Sequence, residues 1–138
     1  MATYNKFNCF VGDLGLKLHN LNTDSLMLYL TNAAPAAGNT VFGTPAEITA
    51  GNGYTAGGAA ITPQAYSQTS GTGTLTGTTV VWTATGAVGP FRYVVLYNNT
   101  SGTKPLIGWW DYGSSISLAN TDTFTVTIGT PGTVLTIA

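Results

Sequence analysis

Residues 89–118 read GPFRYVVLYNNTSGTKPLIGWWDYGSSISL, and how this stretch can lie decides the fold. Phe91, Tyr93, Val95 and Tyr97 alternate with Arg92, Val94 and Leu96, so a strand here carries apolar bulk on both faces. The run NNTSGTKP that follows holds the Asn, Ser, Gly and Pro that tolerate or preset turn dihedrals. On a return strand over residues 106–112, strict alternation puts Leu106, Trp110 and Tyr112 on one face and Ile107 and Trp109 on the other. A hairpin that is apolar on both sides must be covered on both sides. One cover is expected from a second layer of the same domain, the other from a helix or a neighbouring subunit.

The helix is expected upstream of the hairpin. Tyr4, Phe7, Val11, Leu14 and Leu18 recur at spacings of three and four with Phe10 beside them, which predicts one apolar stripe on a helix over residues 3–18 lying across the sheet. Asp13 and Lys17 are four apart on its polar side, and Asn20 and Asn22 are the expected terminators. Gly12 and Gly15 weaken such a helix by roughly 1 kcal/mol each relative to Ala, so tertiary contact must hold it. Strands are expected at residues 25–31, 59–64, 74–84 (one or two), 91–98, 106–112, 116–118, 123–128 and 134–137, the last after a Pro-Gly turn. Residues 123–128 alternate Phe124, Val126 and Ile128 with Thr, the pattern of a sheet with one wet face. Residues 32–58, rich in Gly, Pro, Asn and Ala, form a long loop with at most a short strand at 46–48. It reads equally as a partner-contacting arm and as a Greek-key crossover. The expectation is a single domain over residues 1–138: a mainly β, antiparallel, jelly-roll-like β-sandwich of about seven or eight strands over residues 25–138, with one N-terminal helix.

Composition narrows the function classes. Only 7% of residues are charged, against about 25% in ordinary globular chains, and Thr, Gly, Asn, Ser and Ala fill the gap. Lys6, Lys17, Arg92 and Lys104 are scattered and the net charge is −1, so no basic patch for nucleic acid is expected. No run of about 18 apolar residues occurs, so no membrane span is expected. The first ten residues lack a secretory pattern, and the single Cys9 has no partner for an internal disulfide, which together predict synthesis and folding in a cytoplasm.

Catalytic means are thin. His19, the only histidine, falls at the expected helix end, where a capping or surface role is expected. Cys9 lies off the apolar stripe and reads as a small buried or interfacial apolar residue. No two of Asp13, Asp24, Glu47, Asp111 and Asp122 are paired by spacing, and Asp111 is expected to accept backbone N–H groups in the turn DYGSS. No catalytic set, cofactor site or metal cluster is expected, and GNGYTAGG at 51–58 lacks the Lys and the strand-to-helix setting of a phosphate loop. Trp109 and Trp110 with Tyr97 and Tyr112 could stack on sugar rings, but adjacent residues of a strand face opposite ways, which counts against one flat platform.

The segments TYNKFNCFVGDLGLKLHNL, LMLYLTNAAP, EITAGNGYTAGG, GPFRYVVLYNNT and PLIGWWDYGSSISL, in that order over nearly the whole chain, resemble a family of small virion proteins of tailed bacteriophages. GNGYTAGG, GPFRYVVLYN and GWWDYGSS are the most specific of them. Relatives are more acidic and helix-favouring where Gly12 and Gly15 stand here. Within the virion, the closest role is that of the capsid cement, or decoration, proteins of short-tailed phages. The resemblance implies a jelly-roll sandwich sitting on the outer capsid surface as a homo-oligomer (a dimer favoured, a trimer possible). The major capsid protein would be its partner, and it would be made in the host bacterial cytoplasm. Candidate contact residues are Trp109, Trp110, Tyr112 and Arg92 on the hairpin and Asn52 and Tyr54 on the 32–58 arm. A tail, neck or fibre component and a carbohydrate-binding module for host attachment are the alternatives.

Overall fold

The computed structural model describes residues 2–128 and 132–138. In chain order the elements are β1 (Asn5–Lys6), α1 (Asn8–Gly15), β2 (Leu26–Thr31), β3 (Ala59–Ala60), β4 (Ala65–Thr69), β5 (Thr72–Gly77), β6 (Val80–Thr83), β7 (Val88–Asn98), β8 (Leu106–Leu118), β9 (Thr123–Val126) and β10 (Gly132–Ile137). Every pairing is antiparallel: a five-stranded sheet β1-β8-β7-β2-β3, a three-stranded sheet β10-β5-β4 and a two-stranded sheet β6-β9. Among the described residues the protein is thus mainly β with one helix, as the patterning predicts, and is layered as a β-sandwich.

The hairpin β7–β8 sits at the centre of the larger sheet, and β2 pairs along β7 from Leu26 opposite Asn98 to Thr31 opposite Tyr93. Leu26, Leu28 and Leu30 with Val94 and Leu96 form the inward face, which packs on Leu75, Val80, Trp82, Phe124, Val134 and Leu135 from the smaller sheets. The opposite face carries Tyr29, Val95 and Tyr97 with Met27 and Trp109 at its margin, and it is covered by Phe7, Phe42 and Cys9. Both apolar faces of the hairpin are therefore covered within one chain.

That second cover differs from the expected helix. The helix spans only Asn8–Gly15, and Phe10 is its one buried residue. Val11 is 57% and Leu18 40% exposed, and the rest of the stripe at 3–18 splits between two cores, Phe7 in the outer cluster and Tyr4 and Leu14 against the inner one. The backbone explains the shortening. Phe7 is the N-cap in an extended conformation, tied by its N–H to the Ile107 carbonyl, and Lys17 turns into left-handed φ beyond the last helical turn. Asn20 and Asn22 lie outside the helix. Asn20 instead opens a separate turn, its Oδ1 accepting from the N–H groups of Asn22 and Thr23.

The 32–58 segment does much of the covering. It is stitched to the hairpin by Leu106 N–H to the Thr40 carbonyl at 3.0 Å and Phe42 N–H to the Lys104 carbonyl at 2.9 Å. Phe42 lies edge-on to Tyr29 and stacked on Tyr97, with centroids 5.0 and 4.7 Å apart, and the Tyr29 hydroxyl donates to the Pro45 carbonyl. No strand forms at 46–48; Ile48 gives a single N–H to the Leu30 carbonyl. Farther on, Tyr54 enters beside the inward face.

Several boundaries differ from the expectation. The strand expected over 59–64 is only β3, with Pro63 lying between it and the unforeseen β4. The separate strand at 116–118 is the end of β8, and ten strands form among the described residues, two of them only two residues long. The Pro131–Gly132 turn lies partly outside the described residues.

The largest correction is to the faces of β8. The pairing steps from Leu96 opposite Gly108 to Tyr97 opposite Leu106, leaving Ile107 as the extra residue of a β-bulge. Leu106 therefore shares a face with Trp109, and Ile107 with Trp110, the reverse of the strict alternation.

Candidate interaction surface

The two tryptophans of β8 do opposite work. Trp109 leans on Phe7 with ring centroids 4.5 Å apart, inside the cover of the outer face. Trp110 lies on the inward side, 5.5 Å from Tyr4, where β1 extends the sheet edge. Tyr97 is 1% exposed, and its hydroxyl donates to the Gly57 carbonyl at 2.7 Å; burial, with Glu47 adding to it, pushes its pKa up to about 12. Tyr97 and Trp109 thus share one face and Trp110 the other, so the four aromatics form no common platform.

Trp110 opens onto a groove of about 570 Å³ between β8 and the strands β9 and β10. Its floor is Leu28, Val94 and Phe124, and its walls include Tyr4, Trp110 and Tyr112. Tyr112 is 55% exposed and stands edge-on to Phe124 at 5.8 Å, at the mouth. Thr125, Thr127 and Thr133 supply the polar rim, and among the described residues no charged side chain lines the groove. The sequence signal for this site was the alternation in residues 123–128; the groove itself depends on how β9 meets β8, which no local pattern encodes.

The other candidates are differently placed. Arg92 is engaged: its Nε and Nη2 donate to the two carboxylate oxygens of Asp111 at 2.8 and 2.9 Å, the one ion pair among the described residues. Asp111 also accepts the Gly113 N–H at 2.8 Å, as its turn position predicts, and the Arg92 guanidinium holds its carboxyl below the usual carboxylate range. Arg92 and Asp111 are separated by 19 positions, so this pairing was not legible from spacing. Asn52 is exposed, with left-handed φ and its side-chain N–H on the Ala87 carbonyl.

Tyr54 is a correction. It is 2% exposed and so is unavailable as a contact residue. Its hydroxyl accepts the Leu30 N–H at 3.0 Å and donates to Glu47 Oε1 at 2.8 Å, while Glu47 Oε1 also accepts the Gly57 N–H. Burial raises the Tyr54 pKa well above the ordinary phenol value. Tyr54→Phe removes one oxygen and leaves the Leu30 N–H unpaired and the carboxylate short of a donor, so a loss of about 2–3 kcal/mol is expected in urea denaturation.

Cys9, expected as a small buried or interfacial apolar residue, is half-buried, its Sγ 3.5 Å from the Leu106 carbonyl and its thiol pKa raised by burial first and by Asp13 second. His19 is not at the surface: it is 7% exposed. Among the described residues, no three His, Cys, Asp or Glu side chains are grouped to hold a metal ion, and no helix is long and apolar enough to cross a membrane. No protein-family model, curated protein or solved structure matches the chain.

Proposed function

We propose that this chain is a structural protein of a bacteriophage virion, a capsid decoration protein that binds the outer shell and bridges neighbouring capsomers. The resemblance of its GNGYTAGG, GPFRYVVLYN and GWWDYGSS segments to that family supports the reading. The structural observation that carries it is the uncharged groove of about 570 Å³ with Tyr112 at its mouth. An apolar hollow with an exposed aromatic beside it is the kind of feature that anchors protein interfaces, whose cores are depleted in charge and rich in aromatics. The major capsid protein is the partner under this reading, and homo-oligomers, dimers first, bring equivalent grooves onto the local symmetry axes of the shell. Icosahedral repetition then multiplies a modest energy per contact.

Recombinant protein is expected to bind expanded capsids and raise their melting temperature. Tyr112→Glu, which sets a charge at the groove mouth, is expected to weaken that binding about tenfold or more while leaving the fold intact. Absence of binding by the unaltered protein would refute the role. Copy number separates cement from a tail, neck or fibre component: gel densitometry of purified particles gives hundreds of copies for the first and far fewer for the second.

A second reading, a carbohydrate-binding module, is favoured by one observation, that Tyr4, Trp110 and Tyr112 line the same groove. It predicts a tryptophan fluorescence change with host-surface oligosaccharides that Trp110→Ala abolishes and Trp109→Ala does not.

A further inference from the structure

The only histidine of the chain is buried at a junction of three segments. His19 lies against the Phe10 ring of α1, centroids 5.3 Å apart, and its Nδ1 is 3.2 Å from Nδ2 of Asn98 at the end of β7. Asn98 is fully buried, and its amide orientation follows from its partners. Oδ1 accepts the N–H groups of Thr100 and Ser101 at 2.9 and 3.3 Å, so Nδ2 must be the edge facing Asp24 Oδ2 at 2.6 Å, the Leu18 carbonyl at 3.4 Å and His19. Because Nδ2 only donates, His19 Nδ1 must accept, which fixes the neutral ring with its proton on Nε2. That Nε2 is enclosed and meets no hydrogen-bond partner among the described residues.

An imidazolium does not fit this arrangement. A proton on Nδ1 would set N–H against N–H across 3.2 Å, and the second N–H would stay buried and unpaired. Relief requires the ring to turn or the Asn98 amide to withdraw, and withdrawal frees the Thr100 and Ser101 amides. Thr100 and its neighbour Asn99 tie the hairpin turn to Ser25, just before β2, through Ser25 N–H to Thr100 Oγ1 at 2.7 Å and Asn99 N–H to the Ser25 carbonyl at 2.8 Å. We propose that His19, Asn98 and Asp24 form an acid-sensitive latch, which holds residues 16–24 and the 98–104 turn against the sheet while His19 is neutral and loosens both when it is protonated.

The charged groups facing His19 are Asp13 on α1 and Asp24 on the 20–24 turn; β7 contributes only the neutral Asn98. Burial lowers the His19 pKa, and the two carboxylates oppose that shift without overcoming it. A group held neutral by the fold binds fewer protons folded than unfolded, so stability rises with pH and is lost as pH falls below the ordinary histidine value of about 6.5. Each unit of depression appears as a tenfold fall in the folding equilibrium constant across that window. Asp111 titrates below the usual carboxylate range, outside the window.

The test is an NMR titration of the unaltered protein from pH 8 to pH 5. Three results are expected: the Nε2–H tautomer at neutral pH, a His19 pKa below 6.5, and faster exchange of the Thr100 and Ser101 amides, beyond the intrinsic pH dependence, as the ring protonates. His19→Asn, whose amide oxygen can take the place of Nδ1, is expected to remove the stability loss between pH 7 and pH 5. Asp24→Asn, which removes one opposing carboxylate, is expected to move the His19 pKa lower still. A pKa of 6.5 or above, an Nδ1–H tautomer, or unchanged protection of the two amides through the titration overturns the proposal. If the variants fail to fold, the titration of the unaltered protein still decides it.

Discussion

Gly58→Ala is expected to cost about 3 kcal/mol or more, a large fraction of a domain's stability. A Cβ at this position would meet the Leu28 carbonyl oxygen at 1.8 Å and its carbon at 2.7 Å, and φ is +81°. The obstruction is backbone against backbone, so no rotamer change relieves it. The chain must move away from β2 at the point where β3 joins the sheet, and with it the Gly57 contacts to Tyr97 and Glu47. Gly102→Ala is the control: nothing lies within 4 Å of its Cβ and its φ is ordinary, so a change within about 0.5 kcal/mol is expected. Urea midpoints of the two variants check the contrast, and a loss below about 1 kcal/mol for Gly58→Ala would mean that the 51–58 segment is not seated as described.

Phe7→Ala is the second large effect, about 3–5 kcal/mol. Phe7 is fully buried, packs on Trp109 and anchors the N-terminal segment through its N–H to the Ile107 carbonyl. Losing the ring also wets Trp109, so a red shift in tryptophan emission is expected in the folded variant. Val11→Ala is the informative companion. Residues 7 and 11 were equivalent members of one sequence stripe, yet Val11 is 57% exposed, and its truncation is expected to change stability by no more than about 0.5 kcal/mol. Equal losses for the two would restore the long helix that the spacing predicts.

That pair of variants shows where the sequence was legible. Strands announced themselves wherever one face alternated cleanly, as at Phe124 with Thr123 and Thr125 or along Leu26, Leu28 and Leu30, because burial of one face writes a period of two into the residues. The need for two covers on the hairpin was equally plain from Val94, Val95, Leu96 and Tyr97. The identity of the outer cover was not. Tyr4, Phe7 and Phe10 mimic helical spacing, but Tyr4 and Phe7 flank a two-residue strand and point to opposite faces of the sheet. Phe42 sits alone among Gly, Thr, Val and Pro with no periodic neighbours, so nothing local marked it as the lid over Tyr29 and Tyr97. Of the candidate contact residues, Trp110 and Tyr112 come together at one groove. Arg92 is bound to Asp111, and Tyr54 is withdrawn to satisfy Leu30 and Glu47. The one cue to the β8 bulge was Gly108 inside an otherwise bulky strand, where a side chain would strike Tyr4 at 2.1 Å.

The extra residue at Ile107 sets how this strand tolerates changes in length. Deleting Ile107 would straighten the ladder and return Leu106, Gly108, Trp109 and Trp110 to simple alternation, each still on the face it occupies now. The loss would be confined to one buried side chain and its carbonyl contacts. Deleting Trp109 straightens the ladder as well, with Trp110 still opposite Val94 and Asp111 still opposite Tyr93, but it sets Gly108 on the outer face in place of the ring that packs on Phe7. Removing a residue at 107 and removing one at 109 thus leave the same register, but the second also strips the contact with Phe7, so position 107 is where a change in the length of this strand is expected to cost less.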